Sequence, residues 1–267
     1  MTNPESAARR AQSSTVFRVL ARSGYVVLGI LHILIGAIAI SIVVSGGGGE
    51  ANQSGAVAKI REAPAGMVML WVIVLGLVAL AIWQIAEAVI ESDPDAKKKW
   101  GRRAKYVGTA VAYLAIAGTA LIAALGGGTQ SSDPAQSFSA QLLATPGGVV
   151  LLVLVGVVVA AIGVAFIVRG VGRRFEEHLD LPDGAAEKGI VAFGVAGYVA
   201  KGIAVGVTGV LFVVAALTHD PDTAGGLDAA LRALTELPFG AAILWIVGAG
   251  LVVYGLYCFA RARYARM

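Results

Sequence analysis

Gly24–Val44 reads GYVVLGILHILIGAIAISIVV, 21 residues without a formally charged side chain. As an α-helix it would be about 31 Å long, and the hydrocarbon core of a bilayer is about 30 Å thick. Apolar residues fall on every side of the run and do not alternate. That pattern suits a helix surrounded by lipid, not a half-buried strand.

Four further uncharged runs have the same character: Gly66–Ala86, Tyr106–Leu125, Gly147–Val168 and Phe239–Ala260. A sixth, Gly189–Leu217, is long enough but contains Lys201. The whole chain is 57% hydrophobic and 14% charged, with a mean hydropathy of +0.79, whereas soluble domains carry about 25% charged residues. Lipid offers no water to satisfy backbone amides, so the runs must be helices, and a membrane barrel would need alternating strands. The fold class is therefore all-α, a polytopic membrane protein of six transmembrane helices. Arg9, Arg10, Arg18 and Arg22 precede the first run like a signal-peptide n-region, but that run is too long for an h-region and reads as a retained helix. Cys258 is the single cysteine, which excludes an intramolecular disulfide, and no Cys/His spacing suggests zinc or another metal.

The basic residues set the direction. Besides those four arginines, the stretch 91–105 holds Lys97, Lys98, Lys99, Arg102, Arg103 and Lys105. The stretch 169–188 holds Arg169, Arg173, Arg174 and Lys188, and the end of the chain holds Arg261, Arg263 and Arg266. The intervening loops hold Lys59, Arg61 and Arg232. Seventeen against three predicts a multi-pass protein of the plasma membrane with both termini cytoplasmic. The net charge of +4 is thus a topology signal, and nucleic acid is not an expected partner.

The chain also aligns to itself. Ser-Gly-Tyr25-Val, Ala-Lys-Tyr106-Val and Ala-Gly-Tyr198-Val each open an odd-numbered span, and Pro64, Pro146 and Pro238 follow the tyrosines by 39 or 40 residues. Two residues past each proline stands a glycine, Gly66, Gly148 or Gly240. The single membrane domain, 1–267, thus divides into three tandem two-helix repeats, 16–92, 93–180 and 181–267. Each crosses twice, so their pseudo-threefold axis should run along the membrane normal. In each outer loop a glycine-rich or polar turn (Gly46–Gly49, Gly126–Gly128, His219–Gly226) precedes a short helical segment, Ala56–Ile60, Ala135–Leu143 or Leu227–Leu234. Leu227, Ala230, Leu231 and Leu234 share one face of the third, which predicts an amphipathic helix lying on the outer membrane surface. The proline then suits the first turn of the next span.

These residues resemble the DUF1206 family of bacterial membrane proteins, a family of unknown function built from such repeats. The resemblance is carried by Arg22-Ser-Gly-Tyr25 with Gly29 and Gly36, by Leu80-Ala-Ile-Trp83, by Gly225-Gly226-Leu227-Asp228-Ala-Ala-Leu231, by Pro238-Phe239-Gly240 and by Ala262-Arg263-Tyr264. It covers essentially the whole chain. The second repeat departs most, with Lys105 and Ala110 where the others have glycine. It implies architecture and membrane location, and carries no catalytic residues.

Few residues could carry chemistry. Tyr25, Gly29, His32 and Gly36 fall on one helix face, as do Tyr106, Ala110, Tyr113 and Ala117, and Tyr198, Gly202, Val205 and Gly209. Small residues let membrane helices approach closely, so this stripe reads as a packing surface with its tyrosines in an interfacial belt. Gly156, Gly163 and Gly170 recur every seven residues and read as a second seam. His32 could hydrogen-bond a neighbouring helix or relay a proton. Its repeat equivalents, Tyr113 and Val205, offer no second haem ligand, and no cofactor is expected. Glu87 and Lys201 are the formal charges inside the predicted spans, Glu87 one turn from the cytoplasmic end of the second and Lys201 one turn past the belt tyrosine Tyr198, where they could snorkel or pair. The run Arg173-Arg174-Phe175-Glu176-Glu177-His178 mixes both signs and reads as a solvated loop. No catalytic acid, base or nucleophile motif stands out. The expected function is a non-enzymatic scaffold, accessory subunit or lipid-binding protein, partnered by membrane lipids and by another membrane protein or complex. The alternative is a small-molecule or ion transporter or channel using the pseudo-threefold axis.

Overall fold

A computed structural model describes residues 14–45, 51–127, 134–182 and 184–266. Among them are nine α-helices: α1 (Thr15–Ser45), α2 (Gln53–Glu62), α3 (Gly66–Ile90), α4 (Ala96–Ala124), α5 (Pro134–Leu143), α6 (Gly148–Val171), α7 (Ala185–Thr218), α8 (Gly226–Ala233) and α9 (Gly240–Tyr264). Six of these, α1, α3, α4, α6, α7 and α9, are long and apolar enough to cross a membrane. The chain is a multi-pass, all-helical membrane protein of tandem repeats. The turn Gly46–Gly49 and the end of the turn Gly126–Gly128 lie outside the described residues.

Helices α1, α4 and α7 begin before their apolar runs. In α4 the lysines and arginines ahead of Tyr106 are good helix formers. Asp95 caps them, its carboxylate accepting from the Lys97 amide at 2.9 Å and, at 3.5 Å, from that of Lys98. In α7, Glu187 lies in the first turn, where a carboxylate complements the helix dipole.

The repeated Pro-x-Gly motif is a turn. Gly66, Gly148 and Gly240 donate their amides to the carbonyls of Ala63, Thr145 and Leu237 at 2.9, 3.0 and 2.7 Å. The prolines therefore stand one residue into a four-residue turn, not in the first turn of the following span as the sequence suggested. Each is followed by a left-handed residue, Ala65 (φ 60°), Gly147 (φ 78°) or Phe239 (φ 62°), the pattern of a type II turn. The glycine is needed because a Cβ would come within 2.1 Å of the Ile60 carbonyl oxygen at Gly66 and 2.3 Å of the Thr235 carbonyl oxygen at Gly240.

The chain forms two compact units. The first comprises Met1–Gly29, Val57–Thr129 and Cys258–Met267, and the second Ile30–Ala56 and Gln130–Tyr257. In the first unit α3 packs along α4, and Gly24 of α1 meets Gly76 of α3, where a Cβ on Gly24 would lie 2.4 Å from the Gly76 carbonyl oxygen. The Arg261 guanidinium sits 4.4 Å over the Tyr25 ring. In the second unit α6 packs along α7, and a cluster of Leu152, Phe212, Ala215, Ala216 and Ala224 is covered by Leu142 and Leu143 of α5.

The short loop helices turn their apolar faces to the protein. Ala230, Leu231 and Leu234 are buried, as are Ala56, Val57 and Ile60 of α2. That differs from a helix floating on the membrane surface: the same apolar stripe finds protein side chains to pack on. Polar ties reinforce this. In repeat order, Arg61 of the first repeat donates to the Gly127 carbonyl of the second at 2.9 Å, and Gln136 of the second bonds Asp222 of the third. Asp228 of the third accepts the amide of Ala51 in the first at 2.7 Å, and its other oxygen pairs with Arg232 at 2.8 Å.

Candidate functional site: an aromatic and basic cluster

The site grows from the glycine seam of the second unit. A Cβ on Gly156 would lie 2.7 Å from the Gly209 carbonyl oxygen, one on Gly163 2.5 Å from the Gly206 amide nitrogen, and one on Gly202 2.7 Å from the Gly163 carbonyl oxygen. With no side chains between them, the backbones of α6 and α7 touch, and residues one turn beyond meet at short range. On α1, Gly36 makes a similar approach to Gly248 of α9. Gly29 is buried on the same helix.

Above the seam the large side chains converge. Tyr198 of α7 lies edge-on to Tyr254 and Tyr257 of α9, with centroids 5.3 and 5.7 Å away, and Phe166 of α6 lies 6.1 Å from it. Phe175 stacks on Tyr198 at 5.4 Å and meets Tyr257 edge-on at 5.3 Å. Edge-to-face and offset pairs of this kind each contribute about 0.5–1.5 kcal/mol beyond the area they bury. His32 of α1, 8% exposed, stands edge-on to the Tyr254 ring at 4.7 Å.

Two cations enter this cluster. The Lys201 ammonium lies 4.5 Å over the Tyr254 ring, 5.1 Å over the Phe166 ring, and 3.4 Å from the Tyr254 hydroxyl. The Arg169 guanidinium lies 5.7 Å over Tyr198. Ring faces carry partial negative charge, so a cation drawn from water recovers part of its solvation there, about 0.5–2 kcal/mol per contact. Lys201 thus lies under aromatic rings within the unit.

The structure brings three of the sequence-selected residues together here: His32, Tyr198 and Lys201. The other polar candidates, Tyr25, Tyr113 and Glu87, fall in the first unit. Tyr25 is buried beneath Arg261, Tyr113 is half-buried on α4, and Glu87 is half-buried near the end of α3. Tyr25 and Tyr198 are buried in protein packing.

Sequence reasoning passed over Tyr254, Tyr257, Phe166 and Phe175. Phe175 is the clearest miss. It is 1% exposed although it sits in a run of charges read as a solvated loop. Room for it comes from Gly194, where a Cβ would lie 2.4 Å from the Phe175 ring. A lone aromatic between Arg-Arg and Glu-Glu was the available signal. Among the described residues no group of three or more His, Cys, Asp or Glu is arranged to hold a metal ion.

Six membrane-length helices, three tandem copies of one hairpin and a cluster of aromatic and basic side chains between helices define a polytopic α-helical membrane protein. The chain belongs to the DUF1206 family, described as a domain of unknown function, whose model matches it three times, at residues 23–91, 104–173 and 196–265. It is also similar to an uncharacterized protein, YxxB, of Bacillus subtilis (strain 168). The two are 30% identical over 252 residues, covering 92% of this chain and 90% of that protein. No solved structure matches.

Proposed function

We propose that this protein is a non-enzymatic scaffold or accessory subunit of the plasma membrane, holding lipid and a membrane-protein partner, with both termini in the cytoplasm. The orientation is supported by the seventeen basic residues on the side of the termini against three in the long loops. The observation that carries the scaffold reading is the seating of Lys201. Its ammonium is clasped by Tyr254 and Phe166, so an intramembrane charge serves to knit α6, α7 and α9 together. Polar groups spent on internal packing suit a rigid body that presents its surfaces to others.

A transporter is the second reading, and one observation favours it. His32, Tyr254 and Lys201 stand in series within the second unit, a sequence of groups that could pass a proton. The deciding experiment is purification from native membranes under mild conditions, read by mass spectrometry for proteins and lipids. The scaffold reading expects a stoichiometric membrane-protein partner. A lone protein that moves protons in liposomes, and stops when His32→Gln is introduced, would replace it with the second.

A further inference from the structure

Beside the aromatic cluster, along the first turns of α7, runs an open depression of about 580 Å³. Arg173, Glu176, Glu187 and Lys188 form its polar rim, and Val191 and Val195 belong to its apolar wall. We propose that it holds the headgroup of a phosphoethanolamine lipid, with the acyl chains following the apolar wall. The inference rests on the lipid-holding part of the reading above and names the lipid.

The rim is built, not loose. Phe175 anchors the turn in the aromatic cluster, and the Glu176 amide donates to the Arg173 carbonyl at 3.0 Å. Arg173 holds φ at 53°, a left-handed conformation that a non-glycine residue adopts only when its surroundings impose it. Beside it, one carboxylate oxygen of Glu176, Oε1, is buried without a hydrogen-bond partner. A buried acceptor of that kind calls for a donor.

The depth is right for a headgroup. α7 has 34 residues, which makes it about 51 Å long against a hydrocarbon core of about 30 Å. Its polar start, with Glu187 and Lys188, directly precedes the apolar run from Gly189 in which Val191 and Val195 lie, so a headgroup at the rim would have its acyl chains beside that run. The charge pattern then selects the lipid. Arg173 and Lys188 match a phosphodiester, and Glu176 and Glu187 match a primary ammonium that still has N–H groups to donate. Phosphatidylglycerol lacks the ammonium, and the trimethylammonium of phosphatidylcholine has no N–H.

The test uses the full chain, purified in detergent, stripped of lipid and titrated with dioleoyl phosphatidylethanolamine, phosphatidylcholine or phosphatidylglycerol under native mass spectrometry. Phosphatidylethanolamine should bind about tenfold tighter than the other two, the ratio one charge-assisted hydrogen bond supplies. Glu176→Gln should abolish that preference with the elution profile unchanged, and Glu187→Gln repeats the test should the first variant fold poorly. Lys188→Ala should weaken phosphatidylethanolamine and phosphatidylglycerol alike. Equal binding of all three lipids, or a preference that survives both glutamate variants, overturns the assignment. Competition by free O-phosphoethanolamine at the lipid's own concentration overturns the choice of a lipid. A failure to capture a protein partner leaves these results untouched, so the two readings fall separately.

Discussion

Adding one methyl group to α7 at two glycines three residues apart tests how the second unit is held together. At Gly209 a Cβ would lie 2.3 Å from the Ala160 amide nitrogen and 2.7 Å from the Gly156 carbonyl oxygen, both backbone atoms of α6 that cannot rotate away. At Gly206 a Cβ would meet nothing within 4 Å. Ordinary contact lies near 3.5 Å, so Gly209→Ala must push the helices apart by about 1 Å, which forfeits a good part of the dispersion energy along the seam. Overpacking of this kind costs about 1–3 kcal/mol. Gly206→Ala should be neutral, or stabilising by up to about 1 kcal/mol through helix propensity. Both variants are read in one assay, SDS-driven unfolding in mild detergent followed by tryptophan emission. Equal damage at the two positions, or equal tolerance, refutes the claim that backbone contact at this seam holds α6 to α7.

Three other outcomes are expected. Asp228→Ala leaves the amide of buried Ala51 without its acceptor and should cost about 1–3 kcal/mol. Asp228→Asn, which keeps an acceptor and loses the partly exposed Arg232 pair, should cost less than about 1 kcal/mol, as hydrogen exchange at Ala51 would report. Phe175→Ala should cost about 3–5 kcal/mol and release the turn, so that trypsin cuts at Arg173 or Arg174; continued resistance would mean that the aromatic anchor does not hold it. Tyr254→Leu takes away the ring 4.5 Å beneath the Lys201 ammonium and should cost about 0.5–2 kcal/mol; an unchanged SDS unfolding curve would mean that this contact does not help hold α7 to α9.

Much of the architecture was legible because it rests on local properties. Span number depends on runs of apolar residues, and the repeats on the recurrence of tyrosine, proline and glycine at one spacing. Each is written within a single stretch of chain. Gly156, Gly163, Gly202 and Gly209 could be read as packing residues because a helical period of seven puts them on one face.

The remainder depended on residues distant in sequence. Nothing near Pro64 says that it opens a turn closed by Gly66, since the steric demand comes from the Ile60 carbonyl folding back over it. The amphipathic stripe of α8 was plain, but a stripe does not say whether lipid or protein covers it, and the structure covers it with protein. The aromatic cluster is the extreme case: His32, Phe166, Phe175, Tyr198 and Tyr254 come from four transmembrane helices, α1, α6, α7 and α9, and from the turn after α6. Their meeting depends on how closely glycine backbones let those helices approach. Composition and periodicity thus determined which segments enter the membrane. Tertiary packing alone decided which side chains meet there, because a contact is a property of two helices and a sequence pattern describes one.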